Sequence, residues 1–139
     1  ANLFAPDTSS DLMMIGGYAV SDTITPGNPE KTYTNLNSGN FWVDLGTNGK
    51  KISFGLFAGY SKNLGAMDEI EGPVYGRGSN IDHLFRLSPR ITFSENHMSF
   101  AAEIESTTAA YGTMKTNGKV TDTKNVSNLR VLISTVYKF

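Results

Sequence analysis

The sequence contains no cysteine, which excludes a disulfide scaffold and thiolate metal sites and suits an envelope compartment where stray thiols are a liability. Charge is scarce too: charged residues make up 18% of the chain, against about a quarter in an ordinary globular protein. With a net charge of −1 and no run of lysine or arginine, the electrostatic footprint of a nucleic-acid binder is missing, and that class is set aside. No stretch reaches the roughly 18 apolar residues of a membrane-spanning helix, an argument that leaves spanning strands untouched. His83 and His97 stand isolated, without HxH, HExxH or a cysteine partner, so no metal site and no cofactor are expected. GxGxxG, GxxxxGK and GxSxG are missing as well, and His83 beside Asp82 has no identifiable serine partner. No catalytic residue is therefore assigned, and the chain is not expected to be an enzyme.

What the sequence does have is alternation. Apolar residues recur at nearly every second place, and glycine interrupts any helical stripe, so the expected fold is all-β. Strands are placed at Leu12 to Ser21, Asn40 to Gly46, Lys51 to Ser61, Ile81 to Ser94, Met98 to Tyr111 and Val126 to Phe139, an antiparallel meander of about six. "GTNGK" joins the second to the third, with Asn48-Gly49 expected to supply the positive φ angles of a tight hairpin, and "SENH" joins the fourth to the fifth. The other connections, "SDTITPGNPEKTYTNLN", "KNLGAMDEIEGPVYGRGS" and "GTMKTNGKVTDTK", are rich in Gly, Pro, Asn and Thr and are expected to be long. Short and long connections alternate, the layout of an outer-membrane barrel with periplasmic turns at one end and extracellular loops at the other.

The faces of these strands differ sharply. Phe41, Val43, Leu45, Ile52, Phe54, Leu56, Ala58 and Tyr60 share one face, and Asp44, Ser53, Gly55, Gly59 and Ser61 the other. Phe85, Leu87, Pro89, Ile91 and Phe93 alternate with Arg86, Ser88, Arg90 and Thr92. If the turn sets Phe93 opposite Phe100, Arg90 faces Glu103 and Ser88 faces Glu105 on the polar side. Pro89 lacks a ladder donor and should require a bulge or local disruption. Leu129, Val131, Ile133, Thr135, Tyr137 and Phe139 form one face of the last strand; "DLMMIGGYAV" is apolar on both faces and its polarity stays unassigned.

Alternation alone leaves two orientations open. A soluble lipocalin-like barrel would turn the apolar face inward around an apolar ligand; a membrane barrel would turn it to lipid. Phe93, Phe100, Tyr137 and Phe139 fall at the short-turn rim, and Phe41 and Tyr60 nearer the other. Two aromatic girdles bracketing aliphatic residues favour lipid.

With these features the chain resembles the C-terminal part of a Gram-negative outer-membrane β-barrel porin. "VLISTVYKF" carries the resemblance, matching that family's terminal strand at Val131, Ile133, Tyr137 and Phe139, with Thr135 a mild departure. The resemblance implies a bacterial outer-membrane location, a terminal strand read by the barrel-assembly machinery, and a passive diffusion channel for small hydrophilic solutes. Single-chain barrels start at eight strands, and bilayer hydrocarbon cannot satisfy open sheet edges. The chain is therefore expected to be one β-barrel segment, the C-terminal part of a larger barrel. Its partners would be outer-membrane lipid and remaining strands from an upstream segment or another chain, with a homo-oligomer as one form of the latter.

Asp44, Arg86, Arg90, Glu103, Glu105, Arg130 and Lys138 are the candidate pore-lining residues, because charged side chains in a water-filled lumen set its ion preference. The plainer reading is that Arg90 and Glu103 merely pair across strands, for about 0.2–1 kcal/mol. Asp68, Glu69 and Glu71 in "MDEIEG" are expected in a solvated acidic loop, the alternatives being calcium binding or a pore narrowed by a folded-in loop. A third reading keeps the barrel but makes it a non-conducting structural subunit.

Overall fold

Strict period-two alternation is stable only where the two faces of a strand meet different surroundings. In the computed structural model, which describes residues 16–22 and 30–139, the alternating segments form antiparallel strands. They are β1 (Gly16–Asp22), β2 (Thr32–Gly46), β3 (Ile52–Ala66), β4 (Val74–Arg77), β5 (Ile81–Glu95), β6 (Met98–Met114) and β7 (Val120–Tyr137), with no helix among the described residues. One sheet in the order β4-β1-β2-β3-β5-β6-β7 curls into half a barrel.

Among the described residues the count is seven rather than six, and β4 is the addition. It lies within the connection expected as loop, crosses back from the end of β3 and pairs with the outer edge of β1, Gly17 opposite Gly76. Four residues are too few to give a periodic signal. Elsewhere the strands are longer than expected: β2 begins at Thr32, β3 runs on to Ala66, and β6 and β7 take up most of "GTMKTNGKVTDTK". Threonine and valine favour extended backbone there. The remaining turn closes through Lys115 N to Lys119 O at 2.8 Å. Residues 12–15 of the expected first strand, the stretch before them, and 23–29 of the first long connection lie outside the described residues.

Two local expectations change. Neither Asn48 nor Gly49 takes a positive φ; the connection closes as a wider loop through Thr47 N to Phe54 O at 2.9 Å. Gly49 is needed there for close approach, since a Cβ would collide with Ile52 O. Pro89 produces a disruption without a bulge. Its ladder to β3 is unbroken at Leu56, while on the β6 side pairing stops at Leu87–Ser106 and resumes at Arg90–Glu103 in the same register. Phe93 stands opposite Phe100 and Arg90 opposite Glu103, as the turn requires.

The apolar face is convex and exposed. Its rows run straight across the sheet: Phe54–Ile91–Ala102–Ile133, Val43–Ala58–Leu87, and Phe41–Tyr60–Phe85. Phe41 is 72% and Ile133 81% exposed, whereas Ser61, on the concave side of β3, is 0%. At the hairpin-turn end the rows finish on Phe93 and Phe100, with the Tyr137 and Phe139 rings 5.2 Å apart beyond them.

The opposite end of the half-barrel is roofed. From β3 the chain crosses the concave side, with Ala66 N donating to Asn117 O (2.9 Å) and Ile70 N to Thr116 O (2.6 Å) at the β6–β7 turn. It then reaches β1, where Glu71 N donates to Val20 O (3.0 Å) and Val20 N to Pro73 O (3.1 Å). Ile70 is buried against Ala19 and Leu36, with Ala66, Val74 and Met114 packed around them. A second cluster, Phe57, Ile81, Leu84 and Ala109, lies on the concave face. Asp68, Glu69 and Glu71 remain exposed on the strap that Ile70 anchors.

Candidate functional site

The concave wall below these clusters is built from the polar members of each alternating strand. Arg90 extends from β5 across β3 to Asp44 on β2, its Nη2 2.5 Å from Asp44 Oδ1. Neighbouring strands lie about 4.8 Å apart, so the Arg90 and Asp44 side chains together bridge nearly 10 Å of sheet. It can do so because Gly55, opposite Arg90 in register, leaves the path bare. Both side chains are largely shielded, Arg90 15% and Asp44 16% exposed. A charge-assisted bond in such surroundings is stronger than at an open surface, and removing one partner alone is costly.

Two rows away a second cluster forms on β5, β6 and β7. Arg130 Nη2 donates to Glu105 Oε2 at 2.7 Å, Arg86 Nη1 approaches the same oxygen at 3.8 Å, and Arg86 Nε donates to Thr107 Oγ1 at 3.2 Å. Glu103 lies between the clusters, 5% exposed, and its Oε2 has no hydrogen-bond partner among the described residues. Asp44, Arg86, Arg90, Glu103, Glu105 and Arg130 thus share the concave wall, with both signs interspersed. Lys138 does not join them. It follows the end of β7, exposed, eight residues beyond Arg130 and about 26 Å along an extended chain. Val131, Ile133 and Tyr137 occupy the convex face of β7, an edge of the sheet, with Phe139 beyond it fully exposed.

Several residues of the wall and its borders carried no separate signal. Trp42 and Phe57 lie on the polar, concave side, their rings stacked with centroids 6.4 Å apart. Their parity with Asp44 and Gly55 was readable from the alternation. Lys62, Asp82 and His83 form a network just beyond the Phe41–Tyr60–Phe85 row: Lys62 Nζ lies 2.6 Å and His83 Nδ1 2.8 Å from Asp82 Oδ2, and the His83 ring stacks on Tyr60. At the other limit Lys51 Nζ lies 2.9 Å from Glu95 Oε2. His97 packs its ring near Tyr137, 6.2 Å between centroids. Between these limits the convex face of β2, β3, β5, β6 and β7 carries no charged residue among those described.

Comparison of the chain with protein-family models, curated proteins and solved structures found no match, so its function has to be argued from this geometry.

Proposed function

We propose that the chain forms part of the wall of a Gram-negative outer-membrane β-barrel, a porin-like channel through which small hydrophilic solutes diffuse without covalent chemistry. The observation that carries this reading is the inverted burial: the apolar face is convex and exposed, while the polar face is concave and, on β3, β5 and β6, shielded. Leaving about a dozen large apolar side chains half in water forgoes on the order of 10–20 kcal/mol, comparable to the whole net stability of a domain, about 5–15 kcal/mol. Lipid against that face removes the deficit. The band has a fitting height. Ile52 to Tyr60 spans roughly 26 Å of strand, or about 20 Å once tilted by ~40°, close to the ~25 Å apolar belt of such barrels. The Lys62–Asp82–His83 network and the Lys51–Glu95 pair stand where headgroups and water would begin.

The partners in this reading are outer-membrane lipid, the barrel-assembly machinery acting on Val131, Ile133, Tyr137 and Phe139, and further strands completing the wall. Those strands come from an upstream segment or another chain, a second copy being one form of the latter. Asp44, Arg86, Arg90, Glu103, Glu105 and Arg130 line the lumen. The roof formed by the strap and the β6–β7 turn favours a second reading, a structural outer-membrane subunit that conducts nothing. Two measurements separate the possibilities. Monodisperse protein in buffer without detergent or lipid would overturn the membrane reading and favour the soluble, ligand-binding barrel. Reproducible insertion into a planar bilayer without conductance would favour the structural subunit over the channel.

A further inference from the structure

A groove of about 560 Å³ runs along the concave side of β5, β6 and β7, a volume within the roughly 300–1,000 Å³ of small-molecule sites. Its lining divides by chemistry along the strands. One part is apolar: Leu84 and Ala109, buried and opposite one another, form the floor, while Val126, opposite Ala109, and Tyr111 are accessible along the side. The next part is polar, with Arg86, Thr107 and Asn128 in one cross-strand row and Glu105 opposite Arg130. Among the described residues Glu105 is the only carboxylate lining this groove, against Arg86 and Arg130, so the polar end keeps a net charge of about +1. The Arg130 side chain is 51% exposed while one terminal nitrogen donates to Glu105. A guanidinium carries five N–H donors in a planar fork suited to a second carboxylate.

We infer that this groove binds a small amphiphilic monocarboxylate. The ligand carboxylate lies on the Arg130 guanidinium beside Glu105, and its short hydrocarbon part lies along Val126 and Tyr111 over the Leu84–Ala109 floor. A dianion is disfavoured because Glu105 stands within the cationic end and repels the second charge. A neutral polyol leaves the cationic end unmatched and sets hydroxyls against the apolar wall. The site occupies the face that the proposed channel assigns to solutes and so deepens that reading, yet its occupancy is measurable without any conductance.

The test is isothermal titration calorimetry of the detergent-solubilised, folded protein with butyrate, acetate, butanol and glucose. Butyrate is expected to saturate a single site, with acetate about tenfold weaker because two methylenes are lost, at about 0.8 kcal/mol each when buried. Arg130→Gln should weaken butyrate by about tenfold, the scale of one charge-assisted contact. Asn128→Asp, at an exposed position of β7, should weaken butyrate comparably and provides a second variant should the first fail to fold. Butanol or glucose binding as tightly as butyrate, or butyrate affinity unchanged in a folded variant, overturns the inference. A silent bilayer recording together with saturable butyrate binding would instead sink the channel and leave the site standing.

Discussion

Arg90 on β5 hydrogen-bonds Asp44 on β2 by passing over Gly55 on the strand between them. A Cβ built on Gly55 would collide with Arg90 Nε and lie 2.7 Å from its Cγ, so any larger residue must push the guanidinium off its path. Gly55→Ala is expected to lower stability by about 1–3 kcal/mol, as overpacking does. In an Arg90→Ala background the same substitution should cost almost nothing. Urea unfolding of the detergent-solubilised protein measures both, and equal costs in the two backgrounds would contradict the crossing.

Reversing the charge at Arg90 sets a third carboxylate beside Asp44 and opposite Glu103. If the concave wall lines a lumen, Arg90→Glu moves selectivity toward cations. The check is the reversal potential of a planar bilayer under a salt gradient. An unchanged potential in a conducting, folded variant would reduce Arg90 to a cross-strand structural role.

The strap over the concave side depends on Ile70, which is 9% exposed and packs into the Ala19–Leu36 cluster. Ile70→Ala removes contacts worth about 2–5 kcal/mol locally, comparable to what its few backbone bonds supply. Limited proteolysis is expected to produce a new cut between residues 66 and 73, while Ile70→Leu stays resistant. Equal resistance in the alanine variant would show that the strap is held by other means.

Phe139 is fully exposed, and its ring meets the Tyr137 ring in an edge contact. Phe139→Ala should therefore leave the stability of refolded protein within about 0.5 kcal/mol of the parent, as for a surface change. If the last strand is an assembly signal, the same variant should reach the outer membrane of cells in much lower amount. A normal membrane level would remove that role from Phe139.

Much of this architecture is legible because alternation is a strong signal where both faces are specified. The β5–β6 register follows from Phe93 and Phe100 and the turn between them, and the opposition of Arg90 to Glu103 follows from that. Register fixes backbone pairing but not where a long side chain ends: the Arg90 guanidinium crosses a glycine to Asp44. β4 was hidden by its length, and the roof by its causes. Ile70 sits among acidic residues in a Gly- and Pro-bearing stretch, and the buried residues it clusters with, Ala19 and Leu36, are distant in sequence. Trp42 and Phe57 are aromatic, yet their parity places them with Asp44 on the concave side.

That parity supplies the most direct measurement, because the chain has a single tryptophan and Trp42 lies on the concave side. The protein is reconstituted in bilayers containing brominated lipid, and fluorescence is compared between the parent and a Trp42→Phe, Phe54→Trp variant, whose tryptophan takes the place of an exposed convex residue. A lipid-facing convex sheet predicts strong lipid quenching of the convex tryptophan and little of Trp42, with aqueous iodide acting in the opposite sense. Stronger lipid quenching of Trp42 than of the tryptophan at position 54 would contradict it.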